Sequence, residues 1–399
     1  MTNAMQFDVV VVGGGPAGAT AAHDLARRGR RVMLLDRNGR IKPCGGAIPP
    51  KLIEEFEIPD ELLKARVTSA RMVSPSSRKV DMPIDGGFVG MVDRDQFDEW
   101  LRVRAATAGA VRRIGTFDHL NSDESGVTTV FYRTPDMGSG KELSSTTTRL
   151  VIGADGAASP VAKQCIPSAR NASYVYAYHE IIRSPKNAVD GFESTRCDVI
   201  YQGSLSPDFY SWVFPHGDTT SVGVGTAQKG FSLRTACTGV RRATGLEGSE
   251  TIRREGAPIP MRPLKRWDNG KNVVLAGDSA GVVAPASGEG IYYAMSGGRL
   301  AADAADTFLS TGDVRALASA RKRFMQAHGR VFWILGMMQR FWYSSDKRRE
   351  RFVSICRDPD VQRLTWQAYM HKKLVRAKPM AHARIFFKDL AHLLGVVSP

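Results

Sequence analysis

"FDVVVVGGGPAGATAAHDLARRGRRVMLLDR", residues Phe7 to Arg37, decides the fold. It opens on an unbroken valine run, the pattern of a strand buried on both faces of a parallel sheet. Gly13, Gly15 and Gly18 then form GxGxxG between that strand and an alanine-rich helix, and Asp36 closes the next strand. Each glycine answers a separate demand. The first permits the tight turn, the second lets backbone approach a pyrophosphate, and the third allows close helix packing. The helix start presents free N–H groups and the positive end of a dipole to that anion. Ala17, Ala21 and Ala22 are small enough to let the helix lie close on the sheet. Asp36 is placed to accept from the adenosine ribose, and Arg37 follows it as a further cofactor contact. A dinucleotide is implied, NAD and FAD being equally compatible with this stretch alone.

The chain has 399 residues, beyond the usual reach of one hydrophobic core, so two intertwined domains are expected. A hydrophobic share of 43% with 24% charged residues excludes a disordered or fibrous chain. No apolar run reaches the roughly 18 residues of a membrane-spanning helix. The first apolar run breaks into glycines rather than a cleavage site, so no secretory signal is read and a cytoplasmic location is expected. Cys44, Cys165, Cys197, Cys237 and Cys356 contain no CxxC pair, which points to reduced thiols and to no metal site.

Net charge is +15, unevenly placed: from Arg315 onward 18 Lys and Arg face 5 Asp and Glu. Aromatic and aliphatic residues interleave these charges in "VFWILGMMQRFWY" (331–343), and "HARIFFKDLAHLLGVV" (382–397) reads as a short amphipathic helix. A basic face backed by Phe and Leu suits the headgroup region of a bilayer, so peripheral membrane contact is expected. No nucleic-acid motif is present, and nucleic acid is not expected as a partner.

A second helix is expected near Asp93, where Phe97, Leu101 and Ala105 recur every four residues. Short alternating stretches broken by Gly, Pro, Ser and Asp, such as "SYVYAYHEII" and "DFYSWVFP", read as antiparallel strands. The expected class is α/β, a Rossmann-like nucleotide domain with an inserted, mostly antiparallel β domain and a helical C-terminal region. The expected boundaries are 1–70, 93–165 and 268–314 for the nucleotide domain, 71–92 and 166–267 for the β-rich substrate domain, and 315–399 for the basic helical region.

Two later segments bear on the cofactor: "GADGAASP" at Gly153–Pro160 and "NVVLAGDSAGVVAPASGEG" at Asn272–Gly290. With the glycine fingerprint they resemble, in family order, the glutathione-reductase-type flavoproteins of the aromatic-hydroxylase branch. That resemblance implies FAD. It implies a cofactor role for Asp155 in the first motif, Asp278 on the ribityl chain, and Gly277 giving backbone clearance. The backbone after Pro285, through Gly288, Gly290 and Ile291, would lie near the flavin ring. There the helix start would stabilise negative charge on the reduced ring. Arg94 matches a family position that touches FAD. Members often carry Glu where this chain has Asp36, which leaves the ribose geometry open. No second strand-GxGxxG-helix exists, so a pyridine nucleotide would visit without a Rossmann domain of its own.

"YSWVFPHGDTTSVGVG" (Tyr210–Gly225) matches YxWxFP followed by GxG, and with "KPCGGAIPPKLIEEFEIPDEL" (Lys42–Leu63) it resembles the geranylgeranyl reductases of chlorophyll and bacteriochlorophyll biosynthesis. The resemblance spans essentially the whole chain. It implies hydride transfer from reduced flavin to isolated double bonds, three reductions giving phytyl, with NADPH as reductant, at a photosynthetic membrane. Tyr210, Trp212 and Phe214 alternate onto one strand face and Pro215 ends the strand; a long apolar chain would lie along such a wall. Gly45 and Gly46 would let the loop backbone approach the ring. Cys44 could be proton donor or polarizable wall, with Tyr210, His179 and His216 as rival acids. The competing reading is an aromatic monooxygenase on the same scaffold, although halogenases of this type carry WxWxIP where this chain has YSWVFP.

Overall fold

The computed structural model describes residues 6–37, 41–135 and 141–372. They form two compact units, each gathered from three stretches of chain. The first comprises residues up to Lys42, Arg94–Tyr174 and Pro258–Leu335; the second comprises Pro43–Asp93, Val175–Ala257 and the chain from Gly336 onward.

In the first unit Phe7–Val12 is a central strand whose Val9, Val10 and Val11 are wholly buried, as the valine run predicts. It pairs in parallel with Val32–Asp36 and with Lys141–Gly153, Val9 standing opposite both Val32 and Leu150. Val111–Ile114 and Val273–Leu275 extend the parallel set. The strand Lys141–Gly153 joins the parallel core only from Thr148 on, and its earlier part pairs antiparallel with Thr128–Pro135. Helix Arg94–Thr107 buries Phe97, Leu101 and Ala105, the predicted stripe.

Helix Pro16–Arg27 packs chiefly against helix Ile291–Thr311. This modifies the expectation for Ala17. A Cβ at Gly298 would lie 2.2 Å from the Ala17 carbonyl oxygen, and one at Gly277 would lie 2.7 Å from Ala17 Cβ, so Ala17 serves contact with the second helix and with the turn that precedes it rather than with the sheet alone. Helix Ser319–Trp342 turns Phe324, His328 and Phe332 inward onto Trp267 and Tyr293, with ring centroids 4.9–6.2 Å apart. Trp333 on the next position is 64% exposed, so the apolar tract at 331–343 is core on one side and surface on the other.

The second unit holds a seven-stranded sheet in the order Thr251–Pro260, Tyr174–Arg183, Thr219–Thr226, Ser211–His216, Arg196–Ile200, Ser69–Val73, Lys79–Pro83. Every pairing whose register is defined is antiparallel except Arg196–Ile200 with Ser69–Val73. Helix Leu233–Ala243, which the sequence reading did not anticipate, covers one face through Ala236, Cys237 and Val240 against Val213, Val222 and Val224. A small sheet joins Ala47–Ile48 and Leu63–Val67 to Val89–Val92. These pairings place residues 43–70 in the second unit, where the sequence reading has them in the nucleotide domain. The described part of the basic C-terminal region, 315–372, divides between the units after Leu335. The amphipathic segment at 382–397 lies outside the described residues. No described helix is long and apolar enough to cross a membrane.

Candidate active site

The glycine turn fits the pyrophosphate of a dinucleotide, and the three glycines show why. Gly13 has φ +103°, and a Cβ there would lie 2.3 Å from the Ala154 carbonyl oxygen. At Gly18 a Cβ would lie 1.8 Å from the Gly13 carbonyl oxygen. Packing of the chain itself therefore requires glycine at both. At Gly15 an added Cβ would meet nothing within 4 Å. Gly15 is the N-cap of helix Pro16–Arg27, which has no side-chain cap and no acid in its first turn. Its absent side chain leaves a cradle open to an anion at the helix N-terminus, the chemistry a pyrophosphate needs.

Asp36 stands beside this turn. Its Oδ2 accepts from Arg102 Nη1 at 3.2 Å, and the same nitrogen donates to the Gly14 carbonyl at 3.3 Å. A carboxylate has acceptor sites to spare for ribose hydroxyls. Gly14 matters too: a Cβ there would lie 2.7 Å from Asp36 Oδ2. Arg37 is exposed, and its charge acts on Asp155. The Asp155 carboxylate is engaged within its own loop, accepting from the Ser159 hydroxyl and from Val161 N at 3.1 Å. Burial pushes it up to about 6 against these hydrogen bonds. Ser159 in turn caps helix Pro160–Cys165 through Ala162 N. The geometry thus gives Asp155 the work of shaping the loop on which Gly13 rests.

Asp278 lies in the turn Gly277–Ala280, nearly buried and ion-paired with Lys42. Arg94 is buried and forms a bidentate pair with Asp98, at 2.8 and 2.7 Å. Pro285 and Ile291 are buried, Gly288 has φ +66°, and the helix beginning at Ile291 has Gly290 as its N-cap without a side-chain cap. Like the glycine turn, this helix start has a glycine cap and no acid in its first turn, although the cap backbone differs.

In the second unit Tyr210, Trp212 and Phe214 share one face, as their alternation predicts. Ring centroids are 6.1 Å apart for Tyr210 and Trp212 and 6.2 Å for Trp212 and Phe214. The GxG that follows has a direct steric reason. Gly223 faces Trp212 across the ladder, and a Cβ there would lie 2.2 Å from the indole; one at Gly225 would lie 2.7 Å from Phe209. The signature is two rings laid over two glycines. Tyr210 also touches Tyr201 and Phe209. Its hydroxyl pKa is driven far up by burial, then by Tyr343 and Cys44.

The loop before this sheet is held closely. A Cβ at Gly45 would lie 2.9 Å from the Phe214 ring, and one at Gly46, with φ +72°, would lie 2.4 Å from both the His216 ring and the Val92 carbonyl. Cys44 is half-buried, and its Sγ accepts from Gly46 N at 3.4 Å. Pro215 is buried at the end of the row, not after it: the strand runs on to His216. His179 is buried with both ring nitrogens engaged, Nδ1 at 2.9 Å from Ser221 Oγ and Nε2 at 2.9 Å from Glu255. The Trp212 indole donates to the same Ser221 oxygen.

Sequence reasoning missed Gly14, Lys42, Arg102 and the Asp93–His216 pair. Arg102 had a local signal, eight residues after Arg94 on one helix. Lys42 had none, because its partner is 236 positions away.

Among the described residues no cluster of potential metal ligands is found. The chain matches the family described as FAD binding domain over residues 6–323. It is 57% identical over 395 residues to the geranylgeranyl diphosphate reductase of Rhodobacter capsulatus, covering 99% of both chains. It is 36% identical to that of Synechocystis, covering 98% of each. A solved structure, a geranylgeranyl bacteriochlorophyll reductase-like protein from Thermoplasma acidophilum, has a TM-score of 0.80 at 22% identity. That match covers 94% of this chain and 99% of the other, and it is a likeness of fold.

Proposed function

This chain belongs to the geranylgeranyl diphosphate reductase family and has an FAD-binding domain, and we propose that it saturates three isolated double bonds of a geranylgeranyl chain to give phytyl. The chain arrives as the diphosphate or already esterified to a chlorin. Bound FAD supplies the hydride, and NADPH is the proposed source of its electrons. We assign the pyrophosphate to Gly13–Gly18, the adenosine ribose to Asp36 with Arg37 nearby, and the ribityl chain to Asp278. The flavin ring is assigned to the helix start from Pro285 through Gly288, Gly290 and Ile291. Ala17 and Gly277 keep the backbone close, Asp155 shapes the loop beside the turn, and Arg94 steadies its helix through Asp98.

What the protein's own side chains must do is exclude water from an apolar chain and deliver one proton per double bond reduced. An isolated alkene accepts hydride at one carbon only as a proton reaches the other. The observation that carries the reading is the aromatic row of Tyr210, Trp212 and Phe214, whose rings follow one another on a single sheet face while Val213 faces the closed core. Gly45, packed on the Phe214 ring, and Gly46 continue that wall, whereas Pro215 falls on the opposite face of the strand with Val213. Cys44, half-buried beside the loop, is the proposed proton source. Tyr210 is the weaker candidate, because burial makes its hydroxyl a poor acid and a proton donor works best with a pKa near the operating pH.

The test is anaerobic: dithionite-reduced protein mixed with geranylgeranyl diphosphate should reoxidise its flavin and yield chains heavier by two hydrogens per bond. A flavin that stays reduced, with turnover only in oxygen and on an aromatic substrate, would show a monooxygenase instead.

Peripheral membrane contact is proposed for the basic C-terminal region. Trp333 and Met337, 64% and 47% exposed one turn apart, give the described part of that region an apolar foothold. Arg321 and Lys322 join Lys265 and Arg266 around a cavity of about 480 Å³. Loss of the residues after Arg376 should weaken binding to phosphatidylglycerol vesicles, read by sedimentation, by about tenfold or more, since it removes Lys378, Arg384 and Lys388 and each basic residue near an anionic surface contributes about 1 kcal/mol. Equal sedimentation would refute the contact.

A further inference from the structure

The loop carrying Cys44 contains two glycines, which ordinarily means a pliable segment. Yet its backbone is tied down by a buried imidazole. His216, at the end of the aromatic strand, is 6% exposed. Its Nε2 lies 3.1 Å from the Gly45 carbonyl oxygen. A carbonyl only accepts, so Nε2 carries the proton and donates. The opposite ring nitrogen, Nδ1, lies 3.1 Å from Asp93 Oδ1, an ion-pair distance rather than an aligned hydrogen bond. Gly46 runs so close to the ring edge that any Cβ would collide with it, and Val92 N donates to the Gly46 carbonyl at 2.9 Å. The Gly46 amide in turn donates two residues back to the Cys44 sulfur.

We propose that His216, oriented by Asp93, is a positioning residue that fixes the Gly45–Gly46 backbone and thereby the direction of the Cys44 thiol. Asp93 behaves accordingly: burial pushes its carboxyl up, but the His216 contact and charge, with Lys64 and Arg253 beyond, outweigh burial and hold it below the usual carboxylate range. Neither residue need touch the substrate. The consequence for turnover rests on the reading of Cys44 as proton source; the consequence for the loop does not.

The experiment uses the FAD-loaded full chain and follows iodoacetamide alkylation of each cysteine by peptide mass spectrometry. Cys165 is the internal control. It is partly exposed, and its thiol is pushed up to about 11 by burial and then by Asp155, so it labels slowly unless the protein opens as a whole. His216→Ala should speed Cys44 alkylation by roughly tenfold or more, the scale of a lost buried hydrogen bond, with Cys165 unchanged. His216→Gln, which keeps a donor for the Gly45 carbonyl, should recover most of the protection. Asp93→Asn should give a smaller acceleration, about threefold. In steady state the alanine variant should lose kcat at unchanged KM. Faster Cys44 labelling with full kcat would retain the positioning role and remove Cys44 from the chemistry. Labelling of Cys44 within twofold of the parent in His216→Ala would overturn the proposal. If that variant opens globally, with every cysteine labelled, Asp93→Asn decides by the same criterion.

Discussion

Two glycine loops, one at 13–18 and one at 45–46, look alike in sequence and differ in what requires the glycine. At 45–46 the chain itself fills the space: Phe214 stands over Gly45, and His216 with the Val92 carbonyl stands over Gly46. At 13–18 the chain fills the space over Gly13 and Gly18 and leaves Gly15 clear. Gly15 is explained neither by packing nor by a positive φ, so the space above it is free for something other than the polypeptide. A glycine that packing does explain says only that two segments lie close. The first loop leaves room for the cofactor contact proposed for it and the second is fitted to its own chain, which directs attention from the glycines of the second loop to the residues that hold it.

Substituting the glycines one at a time tests this difference most severely. Gly18→Ala puts a methyl group inside the Gly13 carbonyl contact and should cost about 3 kcal/mol or more, with the apoprotein failing to fold as judged by circular dichroism. A Gly18→Ala apoprotein melting like the parent would break the comparison at its firmest point. Next comes the loop on which Gly13 rests. Asp155, held near 6, favours its protonated form when folded; that contribution is complete below the ordinary value near 3.8 and is lost as pH rises through 6. Relative to Asp155→Asn, the parent apoprotein should lose up to about 3 kcal/mol of unfolding free energy between pH 4 and pH 7. Parallel urea titrations of the two proteins across that range would deny Asp155 this part.

Gly15→Ala should leave the apoprotein within about 1 kcal/mol of the parent, the usual size of an N-cap change. FAD affinity should meanwhile fall by about thirtyfold, roughly 2 kcal/mol, measured by flavin fluorescence on reconstitution. Equal losses of fold and of affinity would erase the contrast with Gly18. The smallest effect is expected in the second loop. Gly45→Ala should destabilise by about 1–2 kcal/mol through its contact with the Phe214 ring, and Phe214→Leu in the same chain should recover much of it. Additive losses in the double variant would show that the ring is not what demands glycine there.

How much of this was legible follows from how far each signal travels along the chain. The valine strand, the glycine turn and Asp36 fall within thirty residues of one another, and the sequence reads them in order. The row of Tyr210, Trp212 and Phe214 was equally legible, because a strand puts every second residue on one side. The GxG beyond it could be recognised but not explained until Gly223 was seen beneath the Trp212 indole. Pairings such as Lys42 with Asp278 and His216 with Asp93 join segments that are distant in the chain, and no periodicity reports them. Domain limits suffered for the same reason. Ala47–Ile48 is two residues long, too short to read as a strand, yet its pairing with Val89–Val92 carries the Cys44 loop into the second unit.

The crossing of helix Pro16–Arg27 over helix Ile291–Thr311, with Ala17 against Gly298, bears on biogenesis. On the ribosome the nucleotide turn emerges early and its covering helix late, about half a minute apart at roughly 5–20 residues per second. Through that interval helix Pro16–Arg27 can pack on the early helix Arg94–Thr107, but the side that meets Gly298 has no native partner. The last helix to cover the nucleotide turn is therefore made only after the strands of the second unit's large sheet, so the cradle is completed late in synthesis.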